Sequence, residues 1–216
     1  MKKAVIFDLD GTLTDSLMSI KVSADKAMAK FGFGPYTEEQ YKYFVGDGAP
    51  VLIERCLEAG GDKEHVLFEE AFAEYRRIFE KYCMYQVVPY EGIKELLAAL
   101  KDRGIKTAVL SNKPDDRTQD VIKAVFGEKE FDIVQGQTAG VARKPSPEGV
   151  YLILKKFGLT PEDILYLGDT GTDMQTGKSA GAFTIGALWG FRKKEELLLN
   201  HADAVIEHPL QLLSYL

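Results

Sequence analysis

Short apolar runs alternate with helical patterns from Val87 onward, and this alternation limits the fold more than any other feature of the sequence. The apolar runs lie at 108–110, 133–134, 164–167, 183–185 and 204–206. Amphipathic helical patterns lie at 93–100, 116–126 and 147–157. Strands that alternate with helices are typical of an α/β fold with a doubly wound parallel sheet. We therefore predict that the larger part of the chain is such a sheet, covered by helices on both faces.

The first predicted strand is separated from the others. Residues 4–7 are an uninterrupted apolar run, as expected of a strand buried on both faces. A long polar and helical stretch follows, with aromatic residues at steps of four and three that we interpret as a buried helix face: Phe68, Phe72, Tyr75, Phe79 and Tyr82. We predict an α/β core domain of residues 1–14 and 85–216, interrupted by a helical domain of residues 15–84.

Composition and charge exclude several classes of partner. The formal net charge of -6 argues against a nucleic-acid partner, because phosphate backbones require clustered Lys and Arg. No segment approaches the roughly 18 apolar residues of a membrane span. Cys56 and Cys83 are the only cysteines and form neither a CxxC motif nor a disulfide framework. We expect a cytoplasmic protein that is a monomer or a homodimer.

Acidic residues follow the predicted strands at the edge where parallel sheets form their sites. Asp8 and Asp10 come after the first strand, Ser111 and Asn112 after the second, and Asp169 after 164–167. Lys144 lies in a loop before a helix and can reach the same edge. Carboxylate oxygens suit Mg²⁺, which also takes substrate phosphate. One aspartate of the first pair can attack phosphorus, and the other can donate and later accept a proton.

These positions resemble the four motifs of the haloacid dehalogenase superfamily. The matching segments are Phe7-Asp8-Leu9-Asp10-Gly11-Thr12-Leu13, Ser111-Asn112, Lys144-Pro145 and Gly168-Asp169-Thr170-Gly171-Thr172-Asp173. The resemblance covers essentially the whole chain. It implies a Rossmann-like core with a helical cap, and a phosphatase that forms an aspartyl phosphate.

The resemblance also implies a role for each matching residue. Asp8 would be the nucleophile and Asp10 the general acid and base. Ser111, Asn112 and Lys144 would bind the phosphate. The Mg²⁺ ligands would be Asp8, the main-chain carbonyl of Asp10, Asp169 and Asp173.

Other members of the superfamily fit the residues less well. Dehalogenases lack the second aspartate, which this chain has as Asp10. Sugar phosphomutases commonly have an arginine three residues after the cap glycine, where this chain has Ala49, and Glu-Asp where it has Gly168-Asp169. A mutase, a pyrophosphatase or a nucleotidase stays an alternative. A phospho-acceptor module that does not turn over is another, although such modules lack an insertion after the first strand.

The helical insertion carries a clue to the substrate. Residues 45–55 resemble the cap of bacterial phosphoglycolate phosphatases, which makes Gly46 and Gly48 candidate substrate-binding residues. A small phosphorylated metabolite, 2-phosphoglycolate, is the substrate that this resemblance implies. Its second carboxylate requires a basic partner, for which the candidates are Lys21, Lys42 and Arg55.

Overall fold

The computed structural model describes all 216 residues, which divide into two compact units. The first unit comprises Met1–Asp15 and Val88–Leu216, and the second comprises Ser16–Val87. No helix combines the length and the apolar character needed to cross a membrane.

The elements alternate along the first unit as the sequence predicts. The strands are β1 (Ala4–Phe7), β2 (Thr14–Asp15), β3 (Val88–Pro89), β4 (Lys106–Pro114), β5 (Ile133–Gln137), β6 (Ile164–Gly168), β7 (Phe183–Ala187) and β8 (Ala204–Ile206). The helices are α1 (Leu17–Ala29), α2 (Glu38–Phe44), α3 (Ala49–Gly60), α4 (Phe68–Tyr82), α5 (Ile93–Asp102), α6 (Asp115–Val125), α7 (Glu148–Phe157), α8 (Gly171–Ala180) and α9 (Lys194–Leu199). Two 3₁₀ helices span Pro161–Asp163 and Pro209–Tyr215.

Six of the strands form one parallel sheet in the order β5-β4-β1-β6-β7-β8. β1 is central and fully buried, because α/β crossovers cover both faces of such a sheet. In the register, Phe7 pairs with Val109 of β4 and with Leu167 of β6. The residues that follow these three positions therefore meet at one edge. The predicted doubly wound α/β fold is confirmed.

The hydrophobic core lies between the sheet and its helices. Ile6, Leu110 and Tyr166 point from the sheet into a cluster that includes Val150 and Ile153 of α7. Burial of such side chains contributes about 1.5–3 kcal/mol each. This packing fixes the strands whose ends carry the site.

The strand β4 is longer than the apolar run at 108–110 indicates. It extends to Pro114, which pairs with Gln137 after a shift in register. Ser111 and Asn112 therefore lie on the strand itself and not in a loop beyond it. Backbone pairing, which apolar patterns do not report, produces this extension.

The second unit contains α1 to α4, with α4 packed on α1 and α3. Tyr75 and Phe79 of the aromatic stripe are buried, but Phe68, Phe72 and Tyr82 are only partly so. The prediction that the whole stripe is core was therefore wrong in part. Ala71 and Ile78 complete the buried face of α4, while Phe68 and Phe72 stack on each other with ring centroids 5.5 Å apart.

Candidate active site

Three buried aspartates converge at the carboxyl edge of the sheet. One carboxylate oxygen from each of Asp8, Asp169 and Asp173 lies within 4.8 Å of the others. Asp8 follows β1 and Asp169 follows β6, which are adjacent strands, and Asp173 lies in the first turn of α8. Residues 165 positions apart in sequence thus share one small volume because the sheet register aligns their strands.

Lys144 links two of these carboxylates through one ammonium group. Its Nζ lies 2.7 Å from Oδ1 of Asp8 and 2.7 Å from Oδ1 of Asp173. The side chain is only 3% exposed. Burial alone would lower the pKa of Lys144, but the charges of Asp173 and Asp8 outweigh it and hold that pKa well above the ordinary value. Lys144 is therefore a permanent positive charge inside the acidic cluster.

Asp173 is fixed by the start of α8 as well as by Lys144. Its Oδ2 accepts hydrogen bonds from the hydroxyl of Thr170 at 2.6 Å and from the Thr170 amide at 3.1 Å. This reciprocal capping arrangement satisfies donors at the helix N-terminus. One carboxylate therefore both caps a helix and faces the site.

Asp169 is held by two residues that the sequence analysis did not single out. The Thr12 hydroxyl donates to its Oδ1 at 2.9 Å, and the Phe191 amide donates to its Oδ2 at 2.8 Å. Burial, followed by the negative charge of Asp173, raises the pKa of Asp169 to about 7. Thr12 lies inside the first motif, but no pattern in the sequence marks Phe191.

Asp10 lies apart from the three-carboxylate cluster. Its side chain accepts from Nζ of Lys113 at 2.7 and 3.0 Å, and it is not a member of the convergent set. The two aspartates of the first motif therefore have different partners, Lys144 for Asp8 and Lys113 for Asp10. Gly11, with φ of 90°, turns the chain directly after Asp10, and the Gly11 amide donates to the Thr14 carbonyl at 2.9 Å. The metal contact predicted for the Asp10 carbonyl stays a prediction.

Ser111 and Asn112 serve main-chain contacts in this structure. Oγ of Ser111 accepts from the Lys113 amide at 3.1 Å. Asn112 makes a reciprocal pair with Lys144: its Oδ1 accepts from the Lys144 amide at 2.9 Å, and its Nδ2 donates to the Lys144 carbonyl at 3.2 Å. The Asn112 side chain thus holds the backbone of the loop that presents Lys144, and the phosphate contacts expected of Ser111 and Asn112 stay predictions.

The donor set fits a hard divalent cation. Three buried carboxylates face one lysine, so the cluster carries an excess of negative charge. Burial and the charge of Asp173 raise the pKa of Asp8 well above its ordinary value, with Lys144 opposing them. Carboxylate oxygens that repel each other in this way are suitable Mg²⁺ ligands, because a cation relieves the repulsion.

Comparison with known families agrees with this arrangement. Residues 5–187 match the model of the haloacid dehalogenase-like hydrolases. The chain belongs to this family. The matched segment contains every residue of the cluster, from Asp8 to Asp173.

Relatives of this hydrolase share nearly its whole length. A phosphoglycolate phosphatase of Haemophilus influenzae is 32% identical over 221 residues, covering 99% of this chain and 98% of the relative. One from Aquifex aeolicus is 33% identical over 192 residues, covering 88% and 87%. A crystal structure of a predicted phosphoglycolate phosphatase from Haemophilus somnus gives a TM-score of 0.90 at 29% identity, covering 99% of this chain and 97% of that one. This haloacid dehalogenase-like hydrolase is therefore a phosphatase by family and relatives.

The remaining predicted site residues of the hydrolase lie in its second unit. Gly46 and Gly48 have φ of 116° and 92° in the turn between α2 and α3, a backbone conformation that favours glycine. Arg55 braces this turn by donating to the carbonyls of residues 43 and 44 and to Oδ2 of Asp47 at 2.6 Å. Lys21 pairs with Asp25 at 2.5 Å. The binding roles of Gly46 and Gly48 stay predictions.

Proposed function

We propose that this hydrolase is a Mg²⁺-dependent phosphatase that transfers a phosphoryl group from a small phosphomonoester to Asp8 and then to water. The observation that carries the proposal is the position of Asp8. Asp8 directly follows the central strand, its side chain is 9% exposed, and its carboxylate lies beside Asp169, Asp173 and the ammonium of Lys144. A nucleophile needs such a place, where fixed positive charge can balance an incoming phosphate.

Mg²⁺ would be held by Asp8, Asp169, Asp173 and the main-chain carbonyl of Asp10. When bound, it would supply positive charge that offsets the carboxylates and the charge on the phosphoryl oxygens. Asp169 is suited to this task because Thr12 and Phe191 hold both of its oxygens in place. Such supporting hydrogen bonds orient metal ligands.

The chain's own residues account for both chemical steps. In the first, an Asp8 carboxylate oxygen bonds to phosphorus while the bond from phosphorus to the leaving oxygen breaks, and Asp10 gives its proton to that oxygen. In the second, Asp10 takes a proton from water, and the water oxygen displaces the Asp8 carboxylate and releases inorganic phosphate. Lys144 and Ser111 would hold the phosphate through both steps. The helical unit would act as a cap that limits access of water.

The substrate we propose is 2-phosphoglycolate. The names of the relatives and the resemblance of residues 45–55 to a phosphoglycolate phosphatase cap support it. Arg55 and Lys21 already pair with Asp47 and Asp25, so a carboxylate of the substrate would compete with these partners. Lys42, the third candidate, likewise pairs with Glu39 at 3.4 Å.

Phosphate release from a panel of phosphate esters tests the proposal. We expect turnover with Mg²⁺, loss of turnover with EDTA, and the highest kcat/KM for 2-phosphoglycolate. Asp8→Asn should lose at least about 1000-fold in kcat because the nucleophile is gone, with an unchanged circular dichroism spectrum.

Each part of the proposal can fail separately. Substantial residual activity of Asp8→Asn would exclude Asp8 as the nucleophile. Stoichiometric labelling of the protein without turnover would indicate a phospho-acceptor module instead. A clear preference for another ester would replace the substrate and leave the mechanism intact.

A further inference from the structure

Lys113 is a second buried lysine at the active site that the proposed chemistry does not use. Its side chain is 4% exposed, and its Nζ lies 2.7 Å from Oδ1 and 3.0 Å from Oδ2 of Asp10. The two residues are 103 positions apart in sequence. The adjacent strands β1 and β4 bring them together, since Asp10 follows the first and Lys113 is near the end of the second.

The main chain of Lys113 is held on both sides. Its amide donates to Oγ of Ser111 at 3.1 Å, and its carbonyl accepts from the hydroxyl of Thr118 in α6 at 3.2 Å. Burial of the aliphatic part of the side chain removes most of its remaining freedom. The ammonium therefore has a defined position relative to Asp10.

The two lysines of the site contact different acidic residues. Lys144 contacts Asp8 and Asp173, whereas Lys113 contacts Asp10. The ammonium of Lys113 donates to both oxygens of Asp10, and these two charge-assisted hydrogen bonds together restrict rotation of the carboxylate. Asp10 is an ionised carboxylate after it gives its proton to the leaving oxygen and before it takes a proton from water.

We propose that Lys113 is a positioning residue that orients the Asp10 carboxylate for both proton transfers. The inference rests on the proposed function, in which Asp10 is the acid and base. Lys113 acts through Asp10 and does not itself contact the substrate phosphate. Loss of Lys113 should then impair only the steps that depend on the Asp10 proton.

The dependence of kcat/KM on the leaving group distinguishes a positioning role of Lys113 from direct binding of the phosphate. An alkoxide leaves poorly without a proton, whereas 4-nitrophenolate leaves readily without one. The kinetic constant kcat/KM reports the steps up to the first phosphoryl transfer. We therefore compare kcat/KM for 4-nitrophenyl phosphate with kcat/KM for the alkyl phosphate that is the best substrate among the phosphate esters tested above. The variants are Lys113→Met, Asp10→Asn and the double variant, all with saturating Mg²⁺.

We expect Asp10→Asn to lower kcat/KM for the alkyl ester about 100-fold or more and for the aryl ester less than about tenfold, given the usual contribution of general acid catalysis. Lys113→Met should show the same selectivity, with a loss of about tenfold or more for the alkyl ester only. In the Asp10→Asn background, Lys113→Met should add less than about threefold, since residues that act as a unit are not additive.

Lys3→Met is the matched control. Lys3 pairs with Asp163 at 2.9 Å but precedes β1, at the opposite edge of the sheet from the site. It should leave both kcat/KM values unchanged. Thermal unfolding of every variant identifies loss of folded protein, and Lys113→Gln provides a second variant if Lys113→Met does not fold.

The outcomes distinguish the inference from the proposed function. Equal losses for the two esters, additive with Asp10→Asn, would show that Lys113 binds the phosphate and would overturn the inference. Unchanged kinetics in Lys113→Met would overturn it as well. If Asp10→Asn itself shows no selectivity, the role of Asp10 in the proposed function fails, whatever Lys113 does.

Discussion

The main-chain amide of Phe191 donates a hydrogen bond to Oδ2 of Asp169 over 2.8 Å. This contact joins the loop after β7 to the loop after β6. Two neighbours reinforce it: the Trp189 indole donates to the Thr12 carbonyl at 2.9 Å, and the Thr12 hydroxyl donates to Oδ1 of Asp169. The segment 189–191 thus braces the predicted metal ligand Asp169.

Gly190 allows this approach, and Gly190→Ala should weaken Mg²⁺ binding. An ideal Cβ at Gly190 would lie within 3.0 Å of Asp169 and of the Gly11 carbonyl, which is too close for either to stay in place. We expect Mg²⁺ affinity to fall about 10–100-fold, as for other losses of support to metal ligands. Trp189 is the only tryptophan, so its fluorescence during a Mg²⁺ titration measures the change.

Gly186→Ala is the control for crowding alone. Its Cβ would meet the side chains of Leu197 and Val205, with no group of the acidic cluster among its nearest neighbours. We expect a lower melting temperature and an unchanged Mg²⁺ affinity. Equal Mg²⁺ affinities for Gly190→Ala and the wild type would contradict the bracing role.

Lys144→Met should destabilise the metal-free protein strongly. The substitution leaves Asp8 and Asp173 buried without the lysine ammonium that contacts both of them. Breaking a buried ion pair in this way costs about 3–5 kcal/mol, or roughly 6–20 °C in Tm for a chain of this size. Calorimetry in EDTA measures the shift.

Lys178→Met is the matched control for that loss. Lys178 pairs with Asp203 at the same 2.7 Å, but it is 39% exposed. An exposed pair contributes only about 0–1 kcal/mol, so Tm should change little. If the two variants melt at the same temperature, Lys144 does not stabilise the acidic cluster.

Asn112→Ala should act through the loop of Lys144 and not through the phosphate. It removes both side-chain bonds to the Lys144 main chain and leaves a buried amide without its acceptor. The expected loss is about 1–3 kcal/mol of unfolding free energy. Inhibition by inorganic phosphate tests the alternative, in which Asn112 binds the phosphate. Phosphate affinity that falls by more than about tenfold with an unchanged Tm would make Asn112 a phosphate ligand.

The thiol of Cys56 should be unreactive in the folded protein. Burial raises the pKa of Cys56 to about 12, so little thiolate exists at pH 8. In the Cys83→Ser variant, we expect Ellman's reagent to label Cys56 about 1000-fold more slowly in buffer than in guanidinium chloride, where an ordinary thiol pKa of about 8.5 returns. Rapid labelling in buffer would mean that the second unit opens readily at α3.

Much of the site could be predicted because its residues follow strands. Asp8, Lys144, Asp169 and Asp173 were each recognised from motifs at strand ends or helix starts, and the structure brings all four together. Lys113 was missed. It directly follows Ser111 and Asn112, so a basic residue beside a predicted phosphate-binding motif was the signal that could have identified it. Trp189 and Phe191 were missed because their contacts use an indole N–H and a backbone amide, which no side-chain pattern reports.

By itself, the sequence determined the alternation of strands and helices, the family, and the set of acidic residues available for chemistry. These depend on local hydrophobic periodicity and on short motifs, which are properties of neighbouring residues. Only the tertiary structure decided which carboxylates meet: Asp8 joins Asp169 and Asp173, while Asp10, two residues away, pairs with Lys113. The physical reason is that strand order and register place distant residues side by side, whereas β1 ends at Phe7, so that two residues close in sequence beyond its end have different partners.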